Sequence, residues 1–282
     1  MTHPPGADPV FAGALGVARA GRIVDRVLAT VRAGATPGTT CGRLDQLARA
    51  ALAAADARPG MLGYTDDFSD HPFPAAVAIA INDRITGSGN PDARLAPGDL
   101  VTADLVAEFR GWFADAAISF VVPGSPPGSG TAARRAFLAE AAASVTRAGI
   151  AALRPGRPWS EVVDAMALAA ERVGGGGHGG DRGVAILRGF DGHAVGRMMH
   201  APPRLPTHRL DLDRGAKVPG DGSGPVIHPG MILAIEPVVG WGDPGFVREG
   251  WEDRTADGSD ACYAEATVLV GKSRNLVLCG GS

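Results

Sequence analysis

Residues 101–120, VTADLVAEFRGWFADAAISF, decide how this chain reads. The segment divides into two apolar, strand-like runs, 100–108 and 111–120, with a short turn expected at Phe109-Arg110. A two-residue hairpin centred there would set Asp104 directly opposite Asp115, on one face, with Cβ atoms about 5 Å apart. Two bare carboxylates so placed repel, and burying them unpaired costs several kcal/mol each. An arginine or lysine, a shared proton or a pair of metal ions would relieve that cost. The plainer alternative is an aspartate facing solvent at a strand end.

Moving outward, the same anomaly recurs. Glu236 lies inside GMILAIEPVV (230–239), an apolar strand with no structural need of a carboxylate. Glu265 repeats it in CYAEATVLV (262–270). His193 stands in GHAVG, where glycines let a ligand approach the backbone, and His200 follows seven residues later. A lone histidine is more often a satisfied core or surface residue. Four acids in three apolar strands with a histidine nearby form an oxygen-rich, nitrogen-poor set. That set suits a pair of divalent ions of the Mn, Fe, Co or Zn type better than a structural zinc site.

Composition bounds the rest. The chain has 282 residues, 45% hydrophobic and 20% charged, with net charge −3 and no basic stripe. This predicts a globular protein with no nucleic-acid partner. Three cysteines with no CxxC pair, no signal-like start and no long apolar run predict a reduced, cytoplasmic protein without a membrane span. Residues 1–13 read as a flexible tail and 14–282 as a single catalytic domain. Helical spacing starts at Val17. Thr39 or Thr40 caps a second helix, a third covers roughly 131–153, and Ser160 is the expected N-cap of a fourth. GYTDDFSDHPFP (63–74) and GGGGHGGDRG (174–183) read as loops.

The order of these residues resembles the methionine aminopeptidases and, more broadly, the pita-bread metallopeptidases, which include prolidase, aminopeptidase P and creatinase. Colinear matches are FPAAVAIAIN (73–82), LAPGDLVTADL (95–105), GHAVGRMMHAPP (192–203), HPGMILAIEPVV (228–239) and 251–267. The resemblance implies an α/β fold (α+β) of two pseudo-symmetric halves, with a curved antiparallel sheet covered by helices. It implies two divalent ions held by Asp104, Asp115, His193, Glu236 and Glu265, with Asp115 and Glu265 bridging. It makes Glu236 the proton carrier and His200 the contact to the substrate carbonyl, and puts Trp251 at the side-chain pocket. The implied activity is removal of an N-terminal residue, methionine by default, from a peptide or small amide by a monomer or homodimer.

The pattern is broken at substrate recognition. The family's pocket histidine falls on Gly87 or Ser88, the cysteine of the preceding strand near Ala78, and the aromatic before the second histidine on Met199. The 63–74 loop is longer than usual, and its His71 is a candidate to replace the missing imidazole. These departures admit an Xaa-Pro peptidase, a creatinase-like amidohydrolase or an enzyme of specialised metabolism. A non-catalytic binding module is the further alternative, though such relatives are expected to lose ligands.

Overall fold

The computed structural model describes residues 9–66, 69–87, 90–126, 129–175, 182–212 and 223–281. Helix α1 (Pro9–Gly34) opens inside the expected tail, so residues 9–13 are helical. Residues 1–8 lie outside the described residues. Helix α2 (Cys41–Ala54) is capped by Thr40, whose hydroxyl accepts from the Arg43 N–H at 3.1 Å. Strands β1 (Arg58–Pro59), β2 (Ala78–Ile81) and β3 (Arg84–Thr86) precede the hairpin of β4 (Leu100–Phe109) and β5 (Trp112–Val121). Helix α3 (Gly130–Ala152) follows, capped by Ser129. Helix α4 (Ser160–Gly174) has Trp159 at its N-cap with no side-chain cap bond, so Ser160 is its first helical residue and not the expected cap.

The remaining strands are β6 (Val184–Ile186), β7 (Asp191–Ala194), β8 (Ala201–Pro206), β9 (Ile232–Ile235), β10 (Val238–Trp241), β11 (Phe246–Glu249), β12 (Glu252–Thr255), β13 (Ala261–Tyr263), β14 (Ala266–Leu269) and β15 (Leu276–Gly280). They form four antiparallel sheets: β1-β4-β2 with β5 on β4, β13-β10-β6, β11-β12-β3, and β15-β14-β9-β7-β8. Helices α1 and α2 bury Val24, Val31, Leu44 and Leu52 with Val101, Leu105 and Ala116 of the hairpin. Helices α3 and α4 bury Leu138, Val145, Val163 and Met166 with Leu233, Val239 and Val268. Each helix pair thus covers one side of the sheet system, as the expected two halves require. Each fully buried Leu or Val contributes about 1.5–3 kcal/mol of transfer free energy.

The hairpin corrects the expected register. The turn is Arg110-Gly111, with φ of 54° and 78°, and Phe109 pairs with Trp112. Both central residues need the left-handed region, which Gly111 enters without strain and a bulky aromatic resists. Asp104 therefore opposes Ala117, and Asp115 opposes Val106. A shift of two residues keeps strand parity, so both carboxylates still share one face as diagonal neighbours.

The strands expected at 230–239 and 262–270 are each split. β9 ends before Glu236-Pro237 and β13 before Ala264-Glu265. β9 pairs with β14 in the five-stranded sheet, and β10 pairs with β13 in another. The two chains therefore cross together from sheet to sheet, and both glutamates stand at the crossing. Pro237 has no N–H for a ladder, which suits the break.

Candidate metal centre

Four segments meet behind the hairpin. Asp104 and Asp115 come from its inner face, His193 from β7, and Glu236 and Glu265 from the two crossings. Ligand atoms of Asp104, Asp115 and Glu265 lie within 4.8 Å of one another, as do those of His193, Glu236 and Glu265, and those of Asp115, His193 and His200. Asp115 is 4% exposed, His193 2% and Glu265 1%.

Each donor is held by specific neighbours. The Asp115 N–H donates to Thr267 Oγ1 at 3.1 Å, and the Thr267 hydroxyl donates back to the Asp115 carbonyl at 2.7 Å. This pair ties the hairpin to β14. The Tyr263 hydroxyl donates to Asp104 Oδ2 at 2.8 Å. His193 Nδ1–H donates to the Ala194 carbonyl at 3.0 Å, which leaves Nε2 toward Glu236 Oε1 at 3.4 Å and Asp115 Oδ2 at 3.6 Å. Tyr263 and Thr267 were not picked out by sequence reasoning. Their signal was faint: they sit two residues either side of Glu265, the spacing that would share one face of the single strand expected there.

Electrostatics marks the cluster as short of positive charge. Burial first, then the neighbouring Asp115 and Glu236, push the Asp104 carboxyl well above its usual range. Glu265 is raised in the same way by burial and by Asp115, Glu236 and Asp104. Burial lifts Glu236 to about 8 despite His193. Burial alone would lower His193, yet Asp115 and Glu236 outweigh it and hold the ring at about 9. Burial and the adjacent His193 lower His200 to about 4.

A divalent cation fits this set. Asp104 Oδ1, Asp115 Oδ1 and Glu265 Oε1 are buried with no hydrogen-bond partner. Among the described residues, His193 is the only cationic side chain ion-paired with any of the four carboxylates. Such orphaned oxygens cost several kcal/mol each unless a cation binds them. The hard oxygens with one imidazole suit Mn, Fe, Co or Zn.

A cavity of about 470 Å³ opens over the cluster. One wall is apolar, with Met61, Tyr64, Phe73, Met199 and Trp251. The other is charged, with Asp66, Asp191, Arg204 and the Arg248–Asp253 pair at 2.7 and 2.8 Å. His200 lines the cavity, its ring centroid 4.6 Å from that of His193. Its Nδ1 lies 3.1 Å from the Tyr64 hydroxyl, which is 3.3 Å from Asp66 Oδ2. Gly87 and Ala78 also line the cavity. Gly87 has φ +133°, and a Cβ there would meet Glu252 Cγ at 2.9 Å, so a histidine cannot sit at 87 without rearrangement. Ser88 lies outside the described residues. His71 is exposed and absent from the cavity wall, and its carbonyl accepts from Trp251 Nε1 at 2.6 Å. His71 thus steadies the pocket tryptophan through its backbone carbonyl, and its imidazole does not line the cavity in this structure.

The sequence pattern of metallopeptidase family M24 matches residues 16–272. The chain is 38% identical over 260 residues to methionine aminopeptidase 1 of Mycobacterium tuberculosis, covering 90% of this chain and 87% of that one. It is 31% identical over 266 residues to the methionine aminopeptidase of Aquifex aeolicus, covering 93% and 94%. The crystal structure of methionine aminopeptidase from Thermotoga maritima superposes with a TM-score of 0.80 at 25% identity, covering 96% of this chain and 97% of that one.

Proposed function

Because the chain belongs to metallopeptidase family M24, we propose that it is a metal-dependent aminopeptidase that removes the N-terminal residue of a peptide, methionine by default. One observation carries the reading: three orphaned carboxylate oxygens converge with His193 and Glu236 at the floor of a cavity with an apolar wall. Asp104, Asp115 and Glu265 would hold one divalent ion, and Asp115, Glu265, His193 and Glu236 a second. Such ions supply Lewis acidity, which polarises a carbonyl and lowers the pKa of a water toward about 7.

The chain's own groups do the rest. Glu236, which lines the cavity beside His193, can accept a proton from the attacking water and return it to the leaving amine near neutral pH. His200 stays neutral at that pH and faces the cavity, where its ring can hydrogen-bond the substrate carbonyl. Met61, Tyr64, Phe73 and Trp251 give an unbranched apolar side chain an apolar seat. The free, buried thiols of Cys41, Cys262 and Cys279 suit a reducing, cytoplasmic setting. No helix among the described residues is long and apolar enough to cross a membrane.

A second reading keeps the metal floor and changes the substrate to another amide. The charged wall and the glycine at 87 favour it. One panel separates the two: Met-Ala, Met-Gly and Xaa-Pro peptides, each supplied with Mn, Co or Fe and repeated after chelation. Metal-dependent release of methionine is expected. Metal-dependent turnover of Xaa-Pro peptides alone would transfer the assignment, and turnover that survives chelation would overturn the metal mechanism.

A further inference from the structure

Arg204 lies on β8 directly opposite His193 of β7. Residues directly opposite in an antiparallel pair point to one face, with Cβ atoms about 4.5–5.5 Å apart. The arginine therefore shares the face that carries a candidate metal donor, and it lines the cavity over the cluster. Burial dominates the titration of Glu236 and of His200, yet the Arg204 charge acts on both, which sets the guanidinium close to the floor of the cavity.

That guanidinium has no partner within the described residues, where it makes neither an ion pair nor a side-chain hydrogen bond. The cavity's other guanidinium, Arg248, is held by both oxygens of Asp253. The Asp66 carboxylate accepts from the Tyr64 hydroxyl. Asp191 pairs with Pro206, which puts it diagonally across the ladder from Arg204, and it forms no ion pair with the arginine. An exposed arginine is ordinarily satisfied by water, and Arg204 is exposed. Its place sets it apart: a planar fork of five N–H donors stands beside the donors that would hold the reacting bond. The apolar wall seats the first side chain of a bound peptide, so the rest of the peptide leaves along the charged wall to which Arg204 belongs. An extended residue spans about 3.3–3.6 Å, so the residue just after the scissile bond stays within reach of a long side chain rooted at the floor.

Given the aminopeptidase reading, on which this inference rests, we propose that Arg204 is a specificity-determining residue that pairs with a carboxylate on the residue after the scissile bond. The preferred substrates are then short peptides that carry this anion, either as the free C-terminus of a dipeptide or as an acidic second side chain. A guanidinium meets a carboxylate through two parallel N–H···O bonds, and a neutral amide in the same place offers one oxygen and no charge.

The test is kcat/KM of the metal-loaded full chain for two matched pairs: Met-Gly against Met-Gly amide, and Met-Asp amide against Met-Asn amide. The first pair reads a terminal carboxylate and the second a side-chain carboxylate. In at least one pair the charged member is expected to be preferred about fivefold or more, mainly through KM. Arg204→Gln is expected to remove that preference and Arg204→Lys to restore part of it. Taking the ratio within each variant cancels any general loss of turnover or folding. A preference that survives in Arg204→Gln would assign the carboxylate to the metal ions and overturn the proposal. Equal or reversed efficiency within both pairs in the parent would overturn it as well, while leaving the aminopeptidase reading in place. Failure of the parent to cleave any of these peptides would overturn that reading and this inference with it.

Discussion

The floor and the wall of the active cavity are built by different rules. The floor is donated by paired strands: Asp104 and Asp115 sit in a ten-residue ladder, and Glu236 and Glu265 at crossings flanked by ladders on both sides. The wall comes from the 61–73 loop, Met199 and Trp251, joined by ring contacts such as Tyr64–His200 at 5.3 Å and Phe73–Trp251 at 5.5 Å. Ladders fix side-chain positions through many shared hydrogen bonds, so every floor donor is over-determined. Loops hold theirs through a few contacts each. The positions where the sequence is expected to depart from the family pattern, Ala78, Gly87 and Met199, line this cavity.

The largest test of this contrast strikes the floor. Asp115→Ala and Glu265→Ala are expected to lower peptide turnover by more than about 100-fold, since even partners one step removed from a metal are worth about 10–100-fold. Asp104→Asn should weaken divalent-ion binding by calorimetry while raising the Tm of the chelated protein, because a buried carboxyl that repels Asp115 and Glu236 is gone. An Asn variant less stable than its chelated parent would mean the cluster is not charge-strained.

Wall substitutions should cost less. Trp251→Ala is expected to reduce kcat/KM for Met-Ala peptides about 10- to 100-fold, mostly through KM, with metal affinity intact. Equal loss of metal affinity would erase the division between floor and wall. Tyr64→Phe removes one neutral hydrogen bond from His200 and should lower turnover roughly fivefold.

Acidity offers a subtler probe. In the metal-free chain Asp104, Glu236, Glu265 and His193 all titrate higher than when unfolded. Folding therefore takes up protons, and this stability, present at low pH, is lost as pH rises through about 8 for Glu236 and about 9 for His193. His200, lowered to about 4, acts in the opposite sense, but only between about 4 and 6.5. From pH 6.5 to 9 the Tm of the chelated protein should fall, by about 2–4 °C per kcal/mol lost, and saturating Mn should remove the slope. A rising Tm over that range would contradict the charge-strained floor. The smallest effect is expected for His71→Ala, under about twofold in turnover, because its carbonyl, not its imidazole, anchors Trp251.

Much of the floor was legible in the sequence, and most of the wall was not. Carboxylates in apolar strands are too costly to be incidental, so Asp104, Asp115, Glu236 and Glu265 announce themselves without coordinates. Tyr263 and Thr267 escaped notice because a tyrosine or threonine in a strand is ordinary there. Loop residues carry no periodicity, so nothing in GYTDDFSDHPFP distinguished Tyr64, which meets His200, from His71, which does not.

By itself the chain pointed to the fold family through its resemblance, to the candidate metal donors through the cost of burying carboxylates, and to the face that Asp104 and Asp115 share through strand parity, since burial cost and parity are local properties of residue type and spacing. Only tertiary structure decided the hairpin's register, the crossings at Glu236-Pro237 and Ala264-Glu265, and which loop groups reach the cavity. Those depend on whether Phe109-Arg110 or Arg110-Gly111 adopts the turn's left-handed conformation and on how separate sheets pair, energies that arise only when distant segments are brought together.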